Sequence, residues 1–185
     1  MAVYVDGETK LTYKEHRLYP DDGRRHETID GEHYVSPSPN TSHQSASKHI
    51  GFSLYEQIER PGSGYVFYAP FDVELSEVDI VEPDIIVVLN ENRRIILPSR
   101  VRGIPDLVVE ILSPSNSDYD KELKRSLYER RGVPVYWIVD VEAATVTSFT
   151  LEEDGRYGEP SVHNDRIEFA GATVDLSEVW ELMRR

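Results

Sequence analysis

The stretch from Pro105 to Leu112 constrains the fold most, because it is a near-continuous apolar run that contains one acid. The run has the length of one strand and is bounded by proline on both sides, a pattern typical of a central strand covered on both faces. Glu110 interrupts it. Burying an unpaired carboxylate is costly, so Glu110 needs a cation, a hydrogen-bond network or a metal. The hypothesis we favour is a metal ion shared with Asp84.

The length and composition indicate one folded domain. The chain has 185 residues, enough for a substantial core, and its hydrophobic fraction of 39% argues against disorder. It has no cysteine, so disulfides and thiolate metal sites are excluded. We expect a single domain over residues 1–185, with an N-terminal hairpin and a C-terminal β-hairpin extension.

Nothing in the sequence indicates export or a membrane. Residues 1–10 hold Asp6 and Glu8 where a signal peptide would need an apolar region. No apolar run approaches the roughly 20 residues that span a bilayer. We therefore expect a soluble cytoplasmic protein without a membrane partner.

The charge is unevenly distributed. The net charge of −14 argues against a nucleic-acid partner, because phosphate binding uses lysine and arginine. Residues 93–131, however, contain nine of the 20 basic residues and six of the 34 acidic ones, and are net +3. This segment predicts either a locally basic binding surface or an ordinary solvated helix face with a charged loop.

The first half of the chain predicts a hairpin and a long helix. Residues 12–15 have capping-box spacing and predict a short helix before Pro20. Residues 27–35 predict two strands joined at an Asp-Gly turn. Apolar residues at helical spacing then predict an amphipathic helix over about residues 42–60, capped by Asn40, Thr41 or Ser42.

The second half predicts mainly strands. These are expected over residues 65–68, 72–75, 85–89, 95–97, 107–112 and 135–139, with helices over about 119–131 and 176–183. Residues 113–118 are expected to form a loop. Residues 145–151 and 167–169 are expected to pair as antiparallel edge strands. The helix between strands 107–112 and 135–139 predicts that these two strands are parallel. The fold class is therefore α/β (α+β), a mixed sheet flanked by helices on both faces.

Asp84 and Glu110 are the candidate metal ligands. On neighbouring strands these carboxylates can approach within about 5 Å if the register allows. Oxygen ligands without histidine or cysteine suit Mg²⁺, with Mn²⁺ as an alternative, and the carbonyl of Ile111 is a plausible third ligand. The alternative for Asp84 is a Pro-Asp turn that caps a strand end.

Lys124 is the candidate catalytic lysine. On the helix after the central strand, it shares a row with Asp120 and Tyr128 at the edge of the buried stripe. An ammonium group beside two carboxylates and a metal can position water or stabilise a pentavalent phosphate. The alternative is an ordinary i,i+4 ion pair with Asp120.

The other candidates are polar residues near this site. His43, near the start of the long helix, could face the cleft or serve only as a cap or surface residue. Lys121, Arg125, Arg100 and Arg102 are candidates for phosphate contacts. No serine-centred elbow, Walker loop or dinucleotide fingerprint is present.

Several short motifs occur in an order and spacing shared with a known protein family. They are Thr28-Ile29-Asp30-Gly31-Glu32, Ser36–Asn40 with His43-Gln44, Glu82-Pro83-Asp84-Ile85, residues 105–115, Asp120 with Lys124 and Tyr128, and Gly132–Asp140. In these motifs the chain resembles the Uma-two family of restriction-endonuclease-like proteins, from about residue 10 to the end.

The resemblance implies the PD-(D/E)XK nuclease fold and Mg²⁺-dependent cleavage of DNA. Asp84 matches the first aspartate of the motif and Glu110 matches its second acid. Leu112 stands where the motif has its lysine, and the resemblance implies that Lys124, on the following helix, replaces it. Asp120, Tyr128 and His43 are then expected to support the site.

Three interpretations remain open from the sequence. The first is a metal-dependent DNA endonuclease. The second is a non-catalytic domain of the same fold that binds nucleic acid or protein, an alternative that the surplus of acidic residues outside 93–131 keeps open. The third is an RNA or nucleotide phosphodiesterase with the same site. A homodimer formed through the hairpin predicted over residues 145–170 would suit cleavage of two strands.

Overall fold

The computed structural model describes residues 3–5, 8–36, 38–113 and 118–183. Four α-helices lie within them: α1 (Tyr13–His16), α2 (Thr41–Leu54), α3 (Asp118–Arg131) and α4 (Leu176–Met183). A π-helical turn (Tyr55–Glu59) extends α2, and residues Asn90–Ile95 form a 3₁₀ segment. The strands are β1 (Val3–Val5), β2 (Glu8–Lys10), β3 (Arg25–Ile29), β4 (Glu32–Ser36), β5 (Gly64–Tyr68), β6 (Val73–Ser76), β7 (Asp79–Val81), β8 (Ile85–Leu89), β9 (Ile96–Leu97), β10 (Arg100–Arg102), β11 (Leu107–Ile111), β12 (Val135–Asp140), β13 (Thr145–Thr150), β14 (Ser161–His163), β15 (Arg166–Phe169) and β16 (Ala172–Asp175).

The main sheet has the strand order β14-β13-β12-β11-β8-β5. Strand β11 lies inside it, parallel to β12 and antiparallel to β8. The parallel pair is the one predicted from the helical crossover, which is α3. Four of the five residues of β11 are buried, as expected for a strand covered on both faces.

The two faces of the main sheet are covered differently. On one face, α2 and α4 pack through residues such as Ile50, Leu54 and Trp180 against Val87 and Val109. The other face packs against α3 and a second sheet of order β4-β3-β7-β6-β10-β9. The predicted mixed α/β fold with helices on both faces is confirmed.

The second sheet was not predicted from the sequence. Its strands β7 and β10 have only three residues each, and β10 begins and ends with arginine. Segments this short contain too few alternating apolar and polar residues for a strand pattern to be recognised. The sheet nevertheless decides the site, because β3 contributes two charged side chains to it.

One strand pairing differs from the prediction. Strand β13 pairs with β12 and β14, whereas β15 pairs with β16. The expected pairing of residues 145–151 with 167–169 is therefore wrong. Each of these strands pairs with a neighbour in the chain, and shorter connections cost less loop-closure entropy. The loop predicted at residues 113–118 lies mostly outside the described residues.

The N-terminal elements have the predicted caps. Thr12 and Glu15 form the capping box of α1, and the Asn40 side chain accepts a hydrogen bond from the His43 amide at the start of α2. These caps satisfy amide groups that a helix leaves unpaired in its first turn. In α2 the cap also fixes the turn that carries His43.

Candidate functional site

Asp84 and Glu110 are brought together by the register of two neighbouring strands. Val109 pairs with Ile85 and Val108 with Ile86 in the antiparallel β8–β11 ladder. Continuing this register by one position places Asp84 opposite Glu110, with both side chains on the face that carries Ile86 and Val108. The two acids are thus neighbours although 26 positions separate them in the chain.

Asp84 lies in a polar cage and is 2% exposed. Its Oδ2 accepts a hydrogen bond from the Ile111 amide at 2.7 Å and lies 3.1 Å from Nε2 of His43. Its Oδ1 lies 2.6 Å from Nη2 of Arg25 but receives no hydrogen bond of good geometry. Burial opposes ionisation, but His43 and Arg25 outweigh it and hold the pKa of Asp84 below its usual value.

Glu110 is bound from the following helix. Lys124 Nζ lies 3.0 Å from its Oε1, and the Tyr128 hydroxyl donates to the same oxygen at 2.5 Å. Burial raises the pKa of Glu110, and the neighbouring charge of Asp84 adds to the rise, while Lys124 opposes it. The two acids therefore have pKa values shifted in opposite directions, an arrangement found at functional sites more often than elsewhere.

Glu27 is a third acid of the site, which the sequence analysis missed. Lys124 donates to its Oε1 at 2.5 Å, and the Glu82 amide donates to the same atom at 2.9 Å. Burial alone would lower the pKa of Lys124, but Glu110 and Glu27 raise it above its usual value. The ammonium group is thus held protonated between two carboxylates.

Arg25 was also missed, and it reaches the site from the same face of β3 as Glu27. The alternation of Arg25 and Glu27 along a short strand is indistinguishable in the sequence from a solvent-facing polar pattern. Burial lowers the pKa of Arg25, but Asp84 and Glu110 raise it above its usual value. The only signal available in the sequence was the position of Glu27 just before the recognised motif that begins at Thr28.

These side chains line a cavity of about 200 Å³. The cavity is bordered by the charged residues Arg25, Glu27, Asp84, Glu110, Lys121 and Lys124, by His43, and by apolar residues including Leu123. Main sheet, second sheet, α2 and α3 all contribute to its wall. It lies where the sequence placed the candidate metal site.

The predicted phosphate contacts are distributed unevenly. Lys121 lines the cavity. Arg125 is paired with Glu122 on its own helix, with Nη2 and Oε1 2.6 Å apart. Arg100 and Arg102 lie on β10 and both pair with Glu74, so the structure does not bring them into the cavity.

Two of the three predicted supporting residues, His43 and Tyr128, lie at the site. His43 contacts Asp84, and Tyr128 contacts Glu110 through its hydroxyl. Tyr128 therefore supports the acid as well as the lysine, whose Nζ lies 5.9 Å from the centroid of the tyrosine ring. The side chain of Asp120 lies outside the described part of the chain.

The donor set fits a hard divalent cation. Within the described residues, the hydrogen bonds to the Glu110 carboxylate end on Oε1, and Asp84 Oδ1 receives no aligned donor. Glu110 therefore has one oxygen without these donors, and Asp84 has one whose neighbour is the Arg25 guanidinium. Carboxylate oxygens are the ligands that Mg²⁺ prefers. Arg25 would compete with the ion for Asp84. A third ligand from the Ile111 carbonyl remains a prediction.

The fold is shared with a solved protein structure. A solved structure titled as that of a "putative nuclease" of the DUF820 family, from Anabaena variabilis, aligns with a TM-score of 0.75 over 92% of this chain and 98% of that chain, at 16% identity. A likeness at this identity concerns the fold alone.

The family follows from the sequence match. The model of the Uma2 family, described as "Putative restriction endonuclease", matches residues 13–179, and the chain belongs to this family. The resemblance drawn from the motifs is confirmed. None of the curated proteins compared with the chain matches it. Among the described residues, no helix is long and apolar enough to cross a membrane.

Proposed function

We propose that the chain is a metal-dependent endonuclease that hydrolyses phosphodiester bonds of DNA, with Mg²⁺ as its ion and Mn²⁺ as a substitute. The observation that carries the proposal is the convergence of Asp84 and Glu110, from adjacent strands, beside a protonated Lys124 at a cavity wall. Membership of the restriction-endonuclease family supports the same activity.

The metal would be held by Asp84 and Glu110. When bound, such an ion supplies a Lewis acid for the phosphoryl oxygen and lowers the pKa of a coordinated water. Lys124 keeps a positive charge next to Glu110, where it can orient the attacking water or stabilise the charge that develops on the phosphate. Glu27 holds the lysine from the opposite side, which fixes the position of its ammonium group.

Electrostatics favour approach of a phosphate only locally. Lys121 and Arg25 border the cavity, whereas the chain as a whole carries a net charge of −14. Nonspecific affinity for nucleic acid should therefore be weak and sensitive to salt. We also propose a homodimer as the form that cuts both strands, with Val162 of edge strand β14, which is 66% exposed, as part of its surface.

One observation favours a second candidate function. Arg25 and Lys124 already neutralise the carboxylates, as a purely structural ion-pair network would. A non-catalytic binding domain of the same fold would keep this network without needing a metal. Such a domain would cleave no nucleic acid with either Mg²⁺ or Mn²⁺.

The test is cleavage of supercoiled plasmid, linear DNA, single-stranded DNA and RNA with Mg²⁺ or Mn²⁺. We expect wild-type protein to nick plasmid and Asp84→Asn or Glu110→Gln to lose at least about 100-fold in rate, the size of effect typical of a lost charge-stabilising group. The matched control Glu153→Gln, at an exposed position, should retain full activity.

Each alternative outcome has a definite meaning. Full activity in Asp84→Asn would remove that residue from the site. Cleavage of RNA but not of DNA would favour the phosphodiesterase alternative. A wild-type protein that cleaves none of the substrates, while folded by circular dichroism, would favour the non-catalytic domain.

A further inference from the structure

A second group of metal-type ligands lies outside the Asp84–Glu110 site. One ligand atom from each of His16, Asp72 and Glu82 lies within 4.8 Å of the others. Within the described residues, these three side chains form the one group of three or more potential metal ligands whose ligand atoms all lie within this distance. The three residues come from the end of α1, the residue before β6 and the residue after β7, so the fold assembles them from separate segments.

His16 is oriented as metal-bound histidines usually are. The residue is 6% exposed, and its Nδ1 lies 3.1 Å from the Thr28 hydroxyl, which is itself buried. A metal-ligating histidine typically uses one ring nitrogen for such a second hydrogen bond, which fixes the ring and its tautomer. The other nitrogen, Nε2, faces Asp72 Oδ1 at 3.5 Å, longer than a hydrogen bond.

Two carboxylates are held close to this ring in a partly buried setting. Asp72 and Glu82 are both half-buried, and each offers a carboxylate oxygen within 4.8 Å of the His16 ring nitrogen. Nearby Arg25 donates to the backbone carbonyl of Glu82. A cation placed among the three side chains would relieve the repulsion between the acids.

The spacing is compatible with one ion. Ligands at about 2.1 Å from a tetrahedral zinc ion lie roughly 3.4 Å from one another. The His16–Asp72 separation of 3.5 Å already matches that value. Glu82 would need only a small side-chain movement, for which the adjoining cavity of about 430 Å³ leaves room.

We propose that His16, Asp72 and Glu82 bind one transition-metal ion of the Zn²⁺ class, separately from the Asp84–Glu110 site. An imidazole nitrogen with two carboxylate oxygens suits Zn²⁺ better than Mg²⁺, which favours oxygen alone. Three protein ligands leave a fourth position open toward the cavity. The ion would also join α1 to the second sheet, and the proposal does not depend on nuclease activity.

The test is calorimetric titration of the full chain with Zn²⁺ in the presence of excess Mg²⁺, which occupies hard oxygen sites. We expect one Zn²⁺ per chain, and at least tenfold weaker binding in His16→Ala and in Glu82→Gln. Thr28→Val, which removes the hydroxyl that contacts both His16 Nδ1 and the Tyr19 hydroxyl, should weaken binding by about 10- to 100-fold. His163→Ala, which removes a histidine from strand β14, is the control for nonspecific imidazole binding and should bind as wild type does.

Further variants separate the two sites. Asp84→Asn should retain Zn²⁺ binding even if it abolishes cleavage, so failure of one proposal leaves the other intact. Glu82→Gln keeps the shape of the side chain, and circular dichroism checks the fold of each variant. Absence of Zn²⁺ binding in wild type, or unchanged binding in both His16→Ala and Glu82→Gln, would overturn the proposal.

Discussion

Replacing Lys124 with methionine tests the charge balance of the site. Lys124 donates to Glu27 and Glu110, and its side chain is 17% exposed, against 5% and 14% for the two acids. Methionine keeps the length and apolar stem of lysine but removes the charge. Two neighbouring carboxylates would then be buried without their cation, and burying like charges together is strongly unfavourable.

The expected loss is large for a single substitution. Removing one partner of a buried ion pair typically destabilises a protein by about 3–5 kcal/mol. For a chain of this size, that corresponds to a fall in melting temperature of roughly 6–20 °C. Because the pKa of Lys124 is raised in the folded state, its stabilisation is fully present below the ordinary lysine pKa and is lost only as the pH rises through the raised value.

The assay is urea unfolding at pH 8, followed by circular dichroism, without divalent ions. Lys48→Met is the matched control, since Lys48 is exposed on α2, and its change should stay within about 0.5 kcal/mol. Adding Glu27→Gln to Lys124→Met should recover part of the loss, because one of the stranded charges is gone. A loss below about 1 kcal/mol in Lys124→Met would refute the idea that this lysine compensates two acids.

Two further substitutions test the contact of the second sheet with α3 and the turn between β3 and β4. Asp79 is fully buried and pairs with two arginines of α3. Asp79→Ala should therefore lower the free energy of unfolding by about 3 kcal/mol in urea titrations. A loss no larger than that of the exposed control Glu153→Ala would contradict this. Gly31→Ala should lower the melting temperature more than Gly155→Ala: both glycines have φ near +77°, but only at Gly31 would the new Cβ lie 2.3 Å from the Cβ of Lys10. Equal shifts in calorimetry would rule out the clash.

The sequence predicted the main sheet because its strands are long and apolar. Residues 85–89 and 107–111 form β8 and β11 almost as predicted, and this register alone suffices to bring Asp84 and Glu110 together. Lys124 was placed by helical geometry, since its position relative to Leu127 is fixed once the buried stripe is known. Local pattern and helical geometry therefore placed Asp84, Glu110 and Lys124 on their elements, whereas the register of β8 against β11 came from the structure.

The remaining charged residues of the site and their partners depended on contacts between segments that are distant in the sequence. Glu27 lies 97 positions from Lys124, and no local pattern distinguishes it from an acid that faces solvent. Arg25 was missed for the same reason. Arg100 and Arg102 were predicted to contact phosphate, but Glu74, on a neighbouring strand, pairs with both. Charge partners of this kind are set by tertiary packing, which composition and periodicity do not encode.

The candidate site is built from both sheets: Glu27 belongs to the second sheet, Glu110 to the main sheet, and Lys124 to the helix between them. Before the sheets dock, the lysine has at most one of its acids and the cavity has no far wall. A nascent or partly unfolded chain would therefore lack a competent centre, so any hydrolytic capacity would switch on only with completed tertiary assembly. Substitutions far from the cavity can weaken the packing between the two sheets. Such substitutions should then reduce any hydrolytic activity and the stability in parallel.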